Sequence, residues 1–72
     1  MDDDRMLKKL GKNIKKIREE LNSSLTQLSK KADIDRGYLS RVERGQENPT
    51  LSYLLKIKKC LKIPLNKLLK DI

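Results

Sequence analysis

Apolar residues return along this chain at intervals of three and four. Leu7, Leu10, Ile14, Ile17 and Leu21 follow the spacing that lays one stripe along a helix, and Lys8, Lys9, Lys12, Lys15 and Lys16 fill its other face. Asp2, Asp3 and Asp4 stand where they cap the N-terminus and favour its positive dipole end. Gly11 interrupts the stripe at a cost of about 1 kcal/mol relative to alanine; it marks either a frayed first turn or a close helix contact. Asn22 suits the left-handed stop of a helix, so the element is predicted to end at Asn22-Ser23. The pattern is too short for a coiled coil and reads as a core helix.

Ser24 is a good N-cap for a second helix over residues 25–31. Leu25, Leu28 and Ala32 share one face, and Ala-Asp-Ile-Asp follows as a tight corner with Asp33 at its turn. Asp35 then caps a third helix over residues 36–44, with Leu39 and Val42 inward and Gly45 as its stop. Two short helices joined by such a turn form a helix-turn-helix unit, here about 25–44. The third helix turns Gly37, Ser40, Arg41 and Arg44 outward, a face of cations and small polar groups with no acid. Such a face suits a negatively charged groove.

Gln46-Glu47-Asn48-Pro49 reads as a loop, and Thr50 caps a fourth helix with apolar residues at Leu51, Leu54, Leu55, Ile57 and Leu61. Pro64 opens a fifth, with Leu65, Leu68, Leu69 and Ile72 on one side. No Val, Ile, Thr or aromatic run alternates as a strand would. The expectation is one all-α domain over residues 1–72, without linker or repeat, ending in its fifth helix with no sensor domain after it.

Length makes the core marginal: a chain of 72 residues buries only roughly 60% of its unfolded surface. With two Tyr and neither Phe nor Trp, Leu and Ile must fill it. The net charge of +8, from 18 Lys and Arg against 10 Asp and Glu, implies an anionic partner, most often nucleic acid. A solubilising surface is the plain alternative. A membrane surface fits less well, because the apolar stripes are needed for a core. No apolar stretch is long enough to span a bilayer, and Met-Asp-Asp-Asp is opposite in charge to a signal peptide; the expected compartment is the cytoplasm. One cysteine, Cys60, rules out an intrachain disulfide, and its expected role is a buried structural thiol. Without histidine there is neither a Cys/His zinc site nor a histidine base. No Gly-rich phosphate loop is present, and neither catalysis nor a cofactor is expected.

Ser24-Leu25-x-x-Leu28-Ser29-x-x-Ala32, then Tyr38-Leu39-Ser40-Arg41-Val42-Glu43-Arg44-Gly45, then Asn48-Pro49-Thr50-Leu51 and Leu54-Leu55-Lys56-Ile57 together resemble the lambda-repressor/Cro-like (XRE) family of bacterial and phage regulators. Asp35-Arg36-x-Tyr38-Leu39-Ser40 with Glu43-Arg44 is most similar to the single-domain controller proteins of restriction–modification systems. The resemblance implies a five-helix domain that dimerises on palindromic operators in double-stranded DNA, with the third helix in the major groove. It assigns base reading to Arg36, Gly37, Tyr38, Ser40 and Arg41. Arg36 suits O6 and N7 of guanine, a contact worth about 1–3 kcal/mol of discrimination. Tyr38 suits a thymine methyl, and Gly37 a close backbone approach. Plain alternatives are solvated cations at Arg36 and Arg41, packing of Tyr38 on the first helix, and a bond from Ser40 to the preceding turn.

Phosphate holding falls to Ser24 with the first N–H groups of the second helix, and to Gln27, Arg44 and Asn48. Relatives carry a Gln after the helix-two cap, where this chain has Leu25, and controllers often carry a base-reading cation where this chain has Glu47. Glu47 would repel phosphate and stays outside the expected site. The resemblance also pairs Arg18 with Glu43 as a structural ion pair, and offers Leu65, Leu68, Leu69 and Ile72 to the monomer core, to a second subunit, or to both. The principal alternative function is an antitoxin-type interaction module that binds DNA secondarily.

Overall fold

The computed structural model describes residues 3–72, so the capping expected of Asp2 lies outside the described residues. Five helices follow one another: α1 (Asp3–Glu20), α2 (Leu25–Ala32), α3 (Arg36–Glu43), α4 (Leu51–Leu61) and α5 (Leu65–Leu68). α1 packs on α3 and α5, α2 on α3 and α4, and α4 on α5. The architecture is all-α, with α2 and α3 as the helix-turn-helix unit.

Side chains chosen for their reach to the backbone start these helices. The Oγ of Ser24 accepts from the Gln27 amide at 3.0 Å while the Gln27 Oε1 accepts from the Ser24 amide at 2.8 Å, a reciprocal capping box. Asp35 accepts from the Tyr38 amide at 2.8 Å, and Thr50 from the Tyr53 amide at 3.1 Å. The stops share one device. Asn22, Asp33, Gly45 and Lys62 all have φ between 55° and 75°, and the amide after each donates five residues back, as in Ile34 to the Ser29 carbonyl and Gln46 to the Arg41 carbonyl, both at 2.9 Å. This is the Schellman ending. A lysine at such a site costs roughly 1–2 kcal/mol, and Ile63 packing on the core just after Lys62 offsets it.

Leu10, Ile14, Ile17, Leu28, Leu39, Val42, Leu54, Ile57, Leu61 and Leu68 form the core. Gly11 belongs to a close contact: an added Cβ would stand 2.5 Å from the Val42 carbonyl oxygen and nearer still to that of Glu43. α1 and α3 therefore touch backbone to backbone.

Three expectations need correction. Leu21, Leu51 and Leu55 are exposed; α1 stops one residue before Leu21, and the other two fall on the outer side of α4. The fifth helix is a single turn, and the Asn13 amide holds its end by donating to the carbonyls of Leu68 at 2.8 Å and Lys70 at 3.0 Å. Leu68 is fully buried in the monomer and Leu65 is half-buried against the core, leaving Leu69 and Ile72 exposed. Leu68 is therefore withdrawn from any contact with a second subunit. Cys60 is half-buried rather than enclosed. Among the described residues, no helix is long and apolar enough to cross a membrane.

Candidate nucleic-acid interface

An eight-residue helix is marginal on its own in water, so α3 owes its order to what holds it. Leu39 and Val42 seat it in the core, and one buried ion pair fixes its far end. The Arg18 Nε donates to Glu43 Oε2 at 2.8 Å and its Nη2 to Oε1 at 2.9 Å, while Nη1 donates to the Ser23 carbonyl at 2.7 Å. One guanidinium thus ties α1, α3 and the α1–α2 turn together. Arg18 is 7% exposed and Glu43 8%. Donating hydrogen bonds to Glu43 raises the Arg18 pKa above its usual value, against desolvation, which lowers it.

With its inner side fixed, α3 presents Arg36, Gly37, Arg41 and Arg44 to solvent, with Ser40 half-exposed between them. Gly37 is exposed, and an added Cβ there would lie 3.2 Å from Asp35 Oδ2 and 3.7 Å from Arg41 Nη1. The Arg44 Nε reaches back to the Ser40 carbonyl at 3.3 Å, at the helix end. Ser40 makes no bond to the preceding turn among the described contacts; the buried Ser29 makes the bond of that kind, to the Thr26 carbonyl at 2.9 Å. Ser24 and Gln27 stand exposed at the start of α2, and Asn48 is exposed in the α3–α4 loop. The capping box uses acceptors of Ser24 and Gln27, so the Ser24 hydroxyl proton and the Gln27 amide N–H groups remain as donors.

Tyr38 is half-buried and packs against the core. Its ring meets Tyr53 of α4 edge to face, centroids 5.1 Å apart at 75°, and the Arg41 guanidinium lies 5.7 Å above its centroid. One ring face is therefore already taken. The Tyr53 hydroxyl oxygen is buried without a hydrogen-bond partner among the described residues. Desolvation pushes its pKa up to about 12, with Tyr38, Glu43 and Asp35 adding to the rise.

The outer face of α3 is not free of acid as the sequence suggested. Glu47 swings in from the loop, and its Oε2 accepts from the Arg41 Nε at 2.9 Å. Helical spacing gave no sign of this pair, because its partners lie six residues apart across a turn. Among the described residues no three His, Cys, Asp or Glu side chains gather as a metal site.

Comparison with known proteins agrees with this architecture. The helix-turn-helix family profile matches residues 14–68. The HTH-type transcriptional regulator SinR of Bacillus subtilis is 36% identical over 63 residues, covering 86% of this chain and 57% of that protein. The chain spans about half the length of the curated relatives it matches. The crystal structure of the restriction–modification controller protein C.AhdI from Aeromonas hydrophila superposes with a TM-score of 0.84 at 34% identity, covering 86% of this chain and 94% of that one. SinR, master regulator for biofilm formation, in complex with DNA superposes with a TM-score of 0.81 at 35% identity, covering 85% of this chain and 98% of that one.

Proposed function

The chain belongs to the helix-turn-helix family, and from that premise we propose that it is a sequence-specific regulator of transcription that binds palindromic operators in double-stranded DNA as a homodimer. The observation that carries the reading is the outer face of α3, where Arg36, Gly37, Arg41 and Arg44 are exposed on a helix whose inner side is fixed. Arg36 and Arg41 meet guanine O6 and N7, Ser40 reads beside them, and the free edge of Tyr38 meets a thymine methyl. Gly37 lets the helix approach the base edges closely. Ser24, Gln27, Arg44 and Asn48 hold phosphates around it, Ser24 and Gln27 with the donors their capping box leaves unused.

Two copies are needed because one α3 covers only a few base pairs. The longest dimension of the molecule is 33 Å, whereas paired recognition helices sit about 34 Å apart on one face of the duplex. Exposed Leu69 and Ile72, beside half-buried Leu65, are the apolar groups at the chain's C-terminal end that suit such an interface. Dimerisation makes operator occupancy rise steeply with protein concentration. The likeness to C.AhdI supports the narrower reading of a restriction–modification controller. Either reading has the protein act in the cytoplasm, with the DNA.

Selection of bound duplexes from a random pool, followed by titration of a selected and a random duplex at two salt concentrations, tests the reading. The expected product is a palindrome with half-sites one helical turn apart. Equal affinity for both duplexes would overturn it.

A further inference from the structure

Arg41 is an exposed cation held on two sides. The Glu47 carboxylate accepts from its Nε at 2.9 Å. The Tyr38 ring lies beneath its guanidinium carbon, 5.7 Å from centroid, and is itself pinned by Tyr53 at 5.1 Å. Gly37, one turn back, leaves Nη1 uncrowded, since even an added Cβ would lie at an ordinary contact distance of 3.7 Å from it. Glu47 occupies only the Nε side. The Nη1 and Nη2 groups make no hydrogen bond among the described contacts, and together they present a two-donor end that matches the O6 and N7 acceptors of guanine.

The carboxylate also changes what Arg41 feels. A free arginine is drawn to any phosphate, and that attraction supplies non-specific binding. Beside Glu47 the pair is electrically neutral, so it keeps directional donors and loses the indiscriminate pull. We infer that Glu47 is a specificity-determining residue that commits Arg41 to reading a base instead of gripping a phosphate. The inference rests on the DNA reading above and reverses the sequence-based exclusion of Glu47 from the site.

The test compares wild type, Glu47→Ala, Glu47→Gln, Arg41→Ala and the Arg41→Ala/Glu47→Ala double variant on the selected and random duplexes. For Glu47→Ala, affinity for random duplex should rise. Its dependence on salt should steepen by about 0.9 in the log–log slope, one added phosphate contact. Preference for the selected duplex should fall roughly 5-fold or more, the lower end of what one two-donor base contact supplies. Glu47→Gln keeps an acceptor beside Nε without the charge, so it should steepen the slope while retaining most of the preference. In the Arg41→Ala background, removing Glu47 should leave the preference unchanged. An unchanged preference in Glu47→Ala, or an equal loss with and without Arg41, would overturn the inference and leave the regulator reading standing. A wild type with no preference would instead sink the regulator reading, and this inference with it.

Discussion

Replacing Glu43 by alanine removes one half of a pair that has little access to water. The Arg18 side chain is 9% exposed and that of Glu43 5%, so the guanidinium left behind keeps its charge and loses two hydrogen bonds of 2.8 and 2.9 Å. Its remaining partner is the Ser23 carbonyl, a neutral acceptor that cannot balance it. Breaking a buried pair in this way costs about 3–5 kcal/mol. A domain of 72 residues holds only about 4–11 kcal/mol in total, at roughly 0.05–0.15 kcal/mol per residue. At about 4–8 °C per kcal/mol for a domain of this size, the melting temperature should fall by at least about 12 °C.

Replacing both partners, as Arg18→Met with Glu43→Leu, should bring stability back to within about 1 kcal/mol of wild type, because no uncompensated charge stays inside. Thermal and urea unfolding followed by circular dichroism read Glu43→Ala directly and, with the Arg18→Met and Glu43→Leu single variants, close a double-mutant cycle on the pair. A drop under about 4 °C for Glu43→Ala would mean that the pair is screened like a surface one. A double variant as unstable as the two single losses added together would refute the desolvation account.

The two helical glycines should respond in opposite ways to alanine. Gly11→Ala should destabilise by roughly 1–3 kcal/mol, as overpacking does, because its Cβ would meet the Val42 and Glu43 carbonyl oxygens. Gly37→Ala should gain up to about 1 kcal/mol from helix propensity, less what Asp35 must yield at 3.2 Å, while weakening binding to the selected duplex; melting curves and duplex titration separate the two. Tyr53→Phe removes a buried hydroxyl that has no partner and should be neutral to about 1 kcal/mol stabilising in denaturant unfolding. Folded Tyr53 keeps its proton to about pH 12, whereas the unfolded chain loses it near pH 10. Across that window the unfolded state holds fewer protons and wild-type stability falls with rising pH. The advantage of Tyr53→Phe should therefore widen from pH 10 to 12, and a constant difference would contradict the burial of that phenol.

What the sequence made legible is what local chemistry decides. Ser24, Asp35 and Thr50 are caps because their oxygens reach an amide three residues on, and Asn22, Asp33 and Gly45 are stops because their types tolerate positive φ. The pairing of Arg18 with Glu43 came from family resemblance rather than from spacing. Lys62 adopts the same left-handed turn without any such type, since packing of Ile63 decides it. Periodicity marked Leu21, Leu51 and Leu55 as apolar but not where the neighbouring helices end, and they stand exposed. It also gave no hint that Asn13 of α1 would hold the end of α5.

At the candidate interface the same division has a consequence for specificity. The outward set of Arg36, Gly37, Arg41 and Arg44 follows from one helix and was readable; Glu47 was not, because a turn places it. Gly45, at φ 75°, bends the chain so that the Gln46 amide returns to the Arg41 carbonyl at 2.9 Å, and this return brings Glu47 beside the Arg41 side chain. The bend is fixed from outside as well. A Cβ on Gly45 would stand 2.8 Å from the Lys8 Cα and 2.9 Å from its nitrogen, so α1 is packed directly against the turn. The acid that pairs with Arg41 is therefore positioned by a glycine in the loop and by the backbone of α1. Charge on α3 alone does not describe what its outer face offers to an anionic partner; the turn that ends the helix decides which of its cations is paired with an acid.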